Sequence, residues 1–210
     1  MRIGVTLNSL AYSDTDHVQS INTNYVSFLS KFFAPASIVL LPFGNQCAEL
    51  DLLNGLDMLV LSGGNDVLCC GKTHSASRNF FETKLVEECL ANKIPILGIC
   101  RGMQLIGKHF GAKIIQLKNK KHVDTIHFLS MNNELSEICG EVNSFHDYGV
   151  SNNFPFHFNK IIYNEIVEAF WSDDFGIVGI QWHPERLLEL DEISRFLLSN
   201  FKANANRRSQ

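Results

Sequence analysis

The order of apolar runs predicts an α/β protein built on a doubly wound, mostly parallel sheet. Three observations predict it. Short β-branched or Leu-rich runs alternate with stretches of helical spacing as far as Gly111. Each early run is closed by Gly, Asn, Pro or Ser, as the ends of buried parallel strands are. From Ala112 onward apolar runs follow one another closely, with few helical intervals between them.

Taken in order, "RIGVTL", "SIVLLPF", "DMLVLSG" and "IPILGIC" read as the parallel strands. Val18, Ile21, Tyr25, Phe28, Leu29 and Phe32 fall on one face of a first helix. Phe81, Leu85, Val86 and Leu90 do the same for a second, and "RGMQLIGKHFG" supplies a third, ending near Gly111. The runs "AKIIQL", "VDTIHFL", "KIIYN", "IVEAFW" and "GIVGIQW" then suggest hairpins or an antiparallel extension. A last amphipathic helix is expected around Leu187 to Phe201, packing back on the sheet. The expected architecture is flavodoxin-like, with helices on both faces and a small antiparallel extension in the C-terminal half. Residues 1–203 should form one domain and residues 204–210 a frayed polar tail.

Composition narrows the function classes. At 210 residues the chain can bury a sizeable core without staples. A formal charge of -4 argues against a protein that coats nucleic acid. No apolar run approaches the roughly 20 residues that cross a bilayer, and "MRIGVTLNSLAYSD" turns polar too soon for a secretory signal. A cytoplasmic protein with no membrane partner is expected. The cysteines, Cys47, Cys69, Cys70, Cys89, Cys100 and Cys139, contain no C-x-x-C pair. Free thiols in a reducing compartment account for five of them.

Cys100 is the exception. It ends the strand "PILGI" and opens the helix "RGMQLIG", so it stands where ligands sit in open α/β sheets. Gly98-x-Cys100-x-Gly102 is the cysteine form of G-x-S-x-G, a turn that lifts a nucleophile out on strained backbone. The helix N-terminus favours a thiolate, and the Arg101 amide can bind an oxyanion. Alone, this pattern fits a buried small hydrophobe equally well.

Partners occur downstream and upstream. "GIVGIQWHPER" ends a strand with His183 and Glu185, a base and a carboxylate that could fix its tautomer. In extended geometry residues two apart share a face, so both side chains could point to one place. "LVLSGGND" ends another strand with Gly63-Gly64, which lets backbone amides approach a ligand.

These motifs, in this order along nearly the whole chain, resemble the class I glutamine amidotransferase superfamily. The resemblance implies Cys100 as nucleophile, His183 as base, Glu185 as its orienter and the Gly64 and Arg101 amides as oxyanion hole. It also implies that Gln104, with Gly63, helps hold the γ-glutamyl group. "GGNDV" and "VNSFHDYG" are similar to the γ-glutamyl hydrolase branch, whose V-N-S-x-H loop lines the site. That similarity nominates Asn143, Ser144, Phe145 and His146 as substrate contacts. Departures at "DVLCCGKTHS" and "HDY" fall where the leaving amine would sit. They weaken the case for the branch's known substrates, such as γ-glutamyl-γ-aminobutyrate or folate polyglutamates. With the compact size and a candidate phosphate site near Lys118, Lys120 and Lys121, they make the chain look like the γ-glutamyl-CDP-amidate hydrolases of capsule phosphoramidate pathways.

The expected chemistry is therefore a cysteine-dependent release of glutamate from a γ-glutamyl amide, with no cofactor and no metal. The alternatives are a glutaminase subunit feeding ammonia to a synthase and a γ-glutamyl-γ-aminobutyrate-type hydrolase. The expected partner is a small γ-glutamyl substrate, nucleotide-linked in the specific reading; a homodimer is compatible with it. His122 and His127 flank "VDTI" near Lys118, Lys120 and Lys121. An exposed hairpin with solvated lysines is expected there in preference to a metal site, with a phosphate-binding rim as a further functional alternative.

Overall fold

The computed structural model describes residues 1–11, 17–44, 50–67, 73–117, 122–132, 137–154 and 158–208. The elements are β1 (Arg2–Thr6), β2 (Asn8–Ala11), β3 (His17–Ser20), α1 (Thr23–Phe32), β4 (Ser37–Leu41) and β5 (Met58–Leu61). There follow α2 (Thr73–Ala91), β6 (Ile96–Ile99), α3 (Arg101–His109), β7 (Ile114–Gln116), β8 (Val123–Asn132) and β9 (Glu137–Phe145). The chain then forms β10 (Tyr148–Ser151), β11 (Asn159–Tyr163), β12 (Ile166–Ser172), β13 (Ile177–Ile180) and α4 (Glu192–Arg208).

The central sheet is nine-stranded, in the order β4-β1-β5-β6-β13-β12-β10-β7, with β11 also paired to β12. Its first five strands are parallel, and the strands beyond β13 are antiparallel. The parallel part has the doubly wound order of flavodoxin-like folds. The strands alternate as buried strands must. Met58 and Val60 of β5 enter one core and Leu59 and Leu61 the other. Phe81, Leu85 and Val86 of α2 with Met103 and Ile106 of α3 cover one face. Leu29 of α1 with Ile193, Leu197 and Phe201 of α4 cover the other. The predicted fold class holds.

Several boundaries differ from the sequence expectation. The first helix starts at Thr23, because the Asn22 side chain accepts the Asn24 amide at 2.9 Å and caps it. Val18 lies instead on β3, paired with β2 in a hairpin. "GIVGIQW" joins no antiparallel extension on one side: β13 pairs in parallel with β6. The run expected as the V-N-S-x-H loop is the end of β9, paired with β8 in a separate two-stranded ribbon. Residues 187–191 precede the last helix, whose start is held by the Asp191 carboxylate accepting the Ser194 amide at 2.8 Å. That helix continues to Arg208, through the segment expected to fray, with Ala205 fully buried. No helix among the described residues is long and apolar enough to cross a membrane.

Candidate active site

Three neighbouring parallel strands, β5, β6 and β13, end at the 62–65 turn, at Cys100 and at His183 respectively. Adjacent strands lie about 4.8 Å apart, so these three ends are brought together by the sheet itself. The close approach is visible at Gly63, where a Cβ would stand 3.1 Å from His183 Cε1 and 3.5 Å from Cys100 Cβ.

Cys100 has φ 52° and ψ -107°, a strained conformation for a residue with a side chain. The flanking glycines are required by contact. A Cβ on Gly98 would lie 2.7 Å from the Gly102 backbone, and one on Gly102 only 2.1 Å from the Leu61 carbonyl oxygen. The strand-to-helix turn is therefore packed tightly enough to impose the strain. Cys100 makes no side-chain capping bond to α3, which leaves the sulfur to face the site.

His183 Nδ1 lies 2.7 Å from Glu185 Oε1, both side chains buried. The pair does not arise from extended backbone as expected. Pro184–Arg186 form a single 3-10 turn, and it is this turn that swings Glu185 back beneath the imidazole. Burial alone would lower the His183 pKa. The Cys100 sulfur, by charge and hydrogen bond, and then Glu185 outweigh that and raise it to about 9. At neutral pH the site thus favours a protonated His183 imidazole.

The glycine turn is held by residues that sequence reasoning did not assign to the site. Tyr25, expected only as a core face, accepts the Gly63 amide on its hydroxyl at 2.9 Å. Burial and then Glu185 push its phenol well above its ordinary pKa, so it stays neutral. Arg78 of α2 donates to the carbonyls of Ser62 at 2.8 Å, Gly63 at 3.1 Å and Gly64 at 2.9 Å. With those carbonyls held on the Arg78 side, the next amides of the turn are turned the other way. Gly64 has φ 80°, and the Asn8 side chain lies 2.8 Å from where its Cβ would be.

Arg78 is itself balanced by Glu82 at 2.9 Å, and Arg101 bonds the other oxygen of Glu82 and the Asn79 amide oxygen. Burial pulls the Arg78 guanidinium down to about 10, still protonated at neutral pH. Burial would raise Glu82, but Arg101 and Arg78 outweigh it and hold the carboxyl below its usual range. The side chain following Cys100 is thereby locked away from the site, which leaves the Arg101 backbone amide at the head of α3.

Other expected contacts are placed as follows. Asn143 is spent on the His183 peptide, donating to its carbonyl and accepting its amide, each at 2.9 Å. Phe145 lies beside the His183 ring, centroids 6.1 Å apart, with Arg186 stacked over it at 4.7 Å. Strand alternation turns Ser144 inward, where its hydroxyl donates to the His122 carbonyl at 2.9 Å. His146 also faces inward, towards Glu168 of β12. Gln104 is buried; its amide nitrogen meets the Tyr148 carbonyl at 2.8 Å and Gln181 Oε1 at 3.3 Å. Gln181, read only as a strand residue, reaches Cys100 Sγ at 3.7 Å through its own amide nitrogen.

His122 and His127 are not on an exposed hairpin. They are 3% and 1% exposed, and with His146 they surround the Glu168 carboxylate. Burial would raise Glu168, but the three imidazoles hold it well below the usual carboxylate range. Among the described residues, His122, His127 and Glu168 form the group able to hold a metal ion. Lys118, Lys120 and Lys121, the phosphate-rim candidates, lie outside the described residues.

Comparison with known proteins identifies the family and the fold. Residues 3–185 match the family Peptidase C26. A γ-glutamyl-CDP-amidate hydrolase of Campylobacter jejuni is 33% identical over 137 residues, 64% of this chain and 65% of that protein. The aligned region therefore spans about two thirds of that relative's length. A glutamine-hydrolysing GMP synthase component of Methanococcus aeolicus is 29% identical over 156 residues, 72% of this chain and 75% of that one. A crystal structure of a glutamine amidotransferase from Thermotoga maritima superposes with TM-score 0.61 at 18% identity, covering 99% of this chain and 92% of that one. A Thermoplasma acidophilum protein, provisionally described as a GMP synthase component, gives TM-score 0.72 at 22% identity over 99% and 94% of the two chains. The chain belongs to the Peptidase C26 family and carries a class I glutamine amidotransferase-like fold.

Proposed function

We propose that this protein is a cysteine-dependent γ-glutamyl amide hydrolase. The observation that carries the reading is the meeting of Cys100, a raised-pKa His183 tied to Glu185, and the Gly63-Gly64 turn at three adjacent strand ends. The Cys100 thiolate attacks the γ-carbonyl carbon, and the carbonyl electrons move to oxygen. The Gly64 and Arg101 amides hold that oxyanion. His183, protonated, gives its proton to the leaving nitrogen as the C–N bond breaks, which leaves a γ-glutamyl thioester on Cys100. The neutral imidazole then takes a proton from water. Hydroxide adds to the thioester, sulfur leaves, and glutamate is released.

Glu185 keeps the His183 ring oriented and stabilises its charge, and Asn143 holds the peptide that carries it. Gln104 and Gly63 bind the glutamyl end. The leaving group we propose is a nucleotide-linked amine, with γ-glutamyl-CDP-amidate yielding cytidine diphosphoramidate for capsular polysaccharide. The likeness to the Campylobacter jejuni hydrolase supports that substrate. Phe145 under Arg186 offers a ring and a cation at the rim where a base and its phosphates could rest.

A panel of γ-glutamyl conjugates, including a nucleotide-linked one, tests the reading by glutamate release. The nucleotide conjugate should be cleaved with the highest kcat/KM, and Cys100→Ala should lower cleavage at least about 10³-fold. Full activity in Cys100→Ala would sink the mechanism. The likeness to the Methanococcus aeolicus GMP synthase component supports a second reading, a glutaminase that feeds ammonia to a synthase. Glutamine hydrolysis that is strongly stimulated by a partner, with poor turnover of other γ-glutamyl amides, would favour it.

A further inference from the structure

Behind the catalytic histidine, the β8–β9 ribbon lies against β11 and α4, and four titratable side chains converge beneath it. His122 precedes β8, His127 lies on it, His146 follows β9, and Glu168 reaches up from β12. All four are buried. Glu168 Oε1 stands 3.3 Å from His122 Nδ1, 3.5 Å from His127 Nδ1 and 3.7 Å from His146 Nε2. No lysine or arginine among the described residues pairs with this carboxylate.

These separations are too long for good hydrogen bonds, whose mode is about 2.9 Å. Both Glu168 oxygens, His122 Nδ1 and His146 Nε2 are buried with no hydrogen-bond partner. His146 makes the conflict explicit. Its Nδ1 lies 2.9 Å from the Tyr148 carbonyl, which only accepts, so Nδ1 must carry a proton. That leaves Nε2 as the ring nitrogen facing the Glu168 carboxylate, where either a proton or a metal ion would join the two.

The spacing fits a metal better than it fits protons. Four ligands at bond lengths of about 2.0–2.1 Å around a tetrahedral Zn²⁺ stand about 3.3–3.4 Å apart. The ligand atoms of His122, His127 and Glu168 lie within 4.8 Å of one another, and His146 Nε2, 3.7 Å from Glu168 Oε1, stands just outside that group. Outer contacts also suit ligation. The His146 Nδ1 faces the Tyr148 carbonyl, and His127 Nε2 lies 3.5 Å from the Thr125 hydroxyl.

We propose that His122, His127 and Glu168 form a binding site for one divalent first-row transition ion, with Zn²⁺ best suited to two imidazoles and a carboxylate and with His146 or water completing the four-coordinate shell. The ion ties the β8–β9 ribbon to the central sheet. Because Asn143 on that ribbon holds the His183 peptide, the ion also steadies the base from behind. This site does not depend on the reading of the catalytic chemistry, and it revises the expectation of a metal-free protein.

The test uses the full chain as purified, then stripped with chelator and titrated with Co²⁺ and Zn²⁺. One equivalent of Co²⁺ should give the visible bands of a four-coordinate ion without the near-ultraviolet band of a thiolate ligand. Zn²⁺ should displace it and raise the thermal midpoint. Cys100→Ala should keep the bands, which excludes capture by the nucleophile and His183, and Glu168→Gln should lose them. The wild-type spectrum decides even if Glu168→Gln does not fold. Absence of stoichiometric binding, or bands that vanish with Cys100→Ala, would overturn the site and leave a protonated histidine–carboxylate cluster in its place.

Discussion

Two buried charge clusters flank the candidate active site, and they are built on opposite terms. In the Arg78–Glu82–Arg101 cluster, Arg78 spreads its donors over Glu82, Ser62, Gly63 and Gly64, and Glu82 receives a guanidinium on each oxygen. In the cluster around Glu168, neither carboxylate oxygen has a hydrogen-bond partner and three imidazoles stand just beyond bonding range. In the first, Arg101 Nε is left without a hydrogen-bond partner, but both Glu82 oxygens are bonded. In the second, both carboxylate oxygens lack a partner, and the proposed ion would supply one. Guanidinium forks satisfy several acceptors at fixed geometry, whereas a neutral imidazole offers one donor and one acceptor and therefore suits metal ligation.

The two clusters also act on different parts of the site. Arg78 orients the turn that carries the Gly64 amide, proposed for the oxyanion hole, and the Glu168 cluster backs the ribbon that holds His183. Variants can break the comparison at either end. Glu82→Gln should have the largest effect on folding, about 3–5 kcal/mol, since it leaves two buried guanidinium groups uncompensated. The shift of a urea-unfolding midpoint measures it, and a change under about 1 kcal/mol would show that the network is not balanced as described.

Arg78→Lys keeps the charge and loses the fork. The expected result is a fall in kcat of about 10²-fold with little change in KM, because the carbonyls of Gly63 and Gly64 are no longer held together. A rise in KM alone would assign Arg78 to substrate binding instead. The pH profile bears on the other end. Because the His183 pKa is raised to about 9, kcat/KM should fall about tenfold per pH unit above that value. By the same sign, the stability that the His183 charge contributes is full below its ordinary 6.5 and is lost as pH rises through about 9. Tyr25→Phe should be mildest, costing about 1 kcal/mol of transition-state stabilisation by freeing the Gly63 amide.

What the sequence made legible was whatever lies within a few residues of its own signal. Gly98, Cys100 and Gly102 sit on one turn, and the clashes that require those glycines are local to it. Gly63-Gly64 and His183 with Glu185 were readable for the same reason, although the 3-10 turn that unites the last two was not. The ribbon strand "EICGEVNSF" was missed because charge and glycine interrupt its alternation. Arg78 and Gln181 acquire their roles only where α2 and β13 pack against other strand ends. His122 and His127 looked solvated because Glu168, the group that gathers them, lies far along the chain. Tyr25 belongs to both categories: its burial was legible from helical spacing, but the hydroxyl bond to Gly63 was not.

The central claim is that Cys100 carries the glutamyl group between attack and hydrolysis. Rapid acid quench of enzyme mixed with a γ-glutamyl conjugate, followed by peptide mass spectrometry, tests it most directly. The account expects a γ-glutamyl adduct on the peptide containing Cys100, accumulating further in His183→Gln supplied with a good leaving group and absent from Cys100→Ala. Glutamate released at the full rate with no adduct on Cys100 at any time would contradict it.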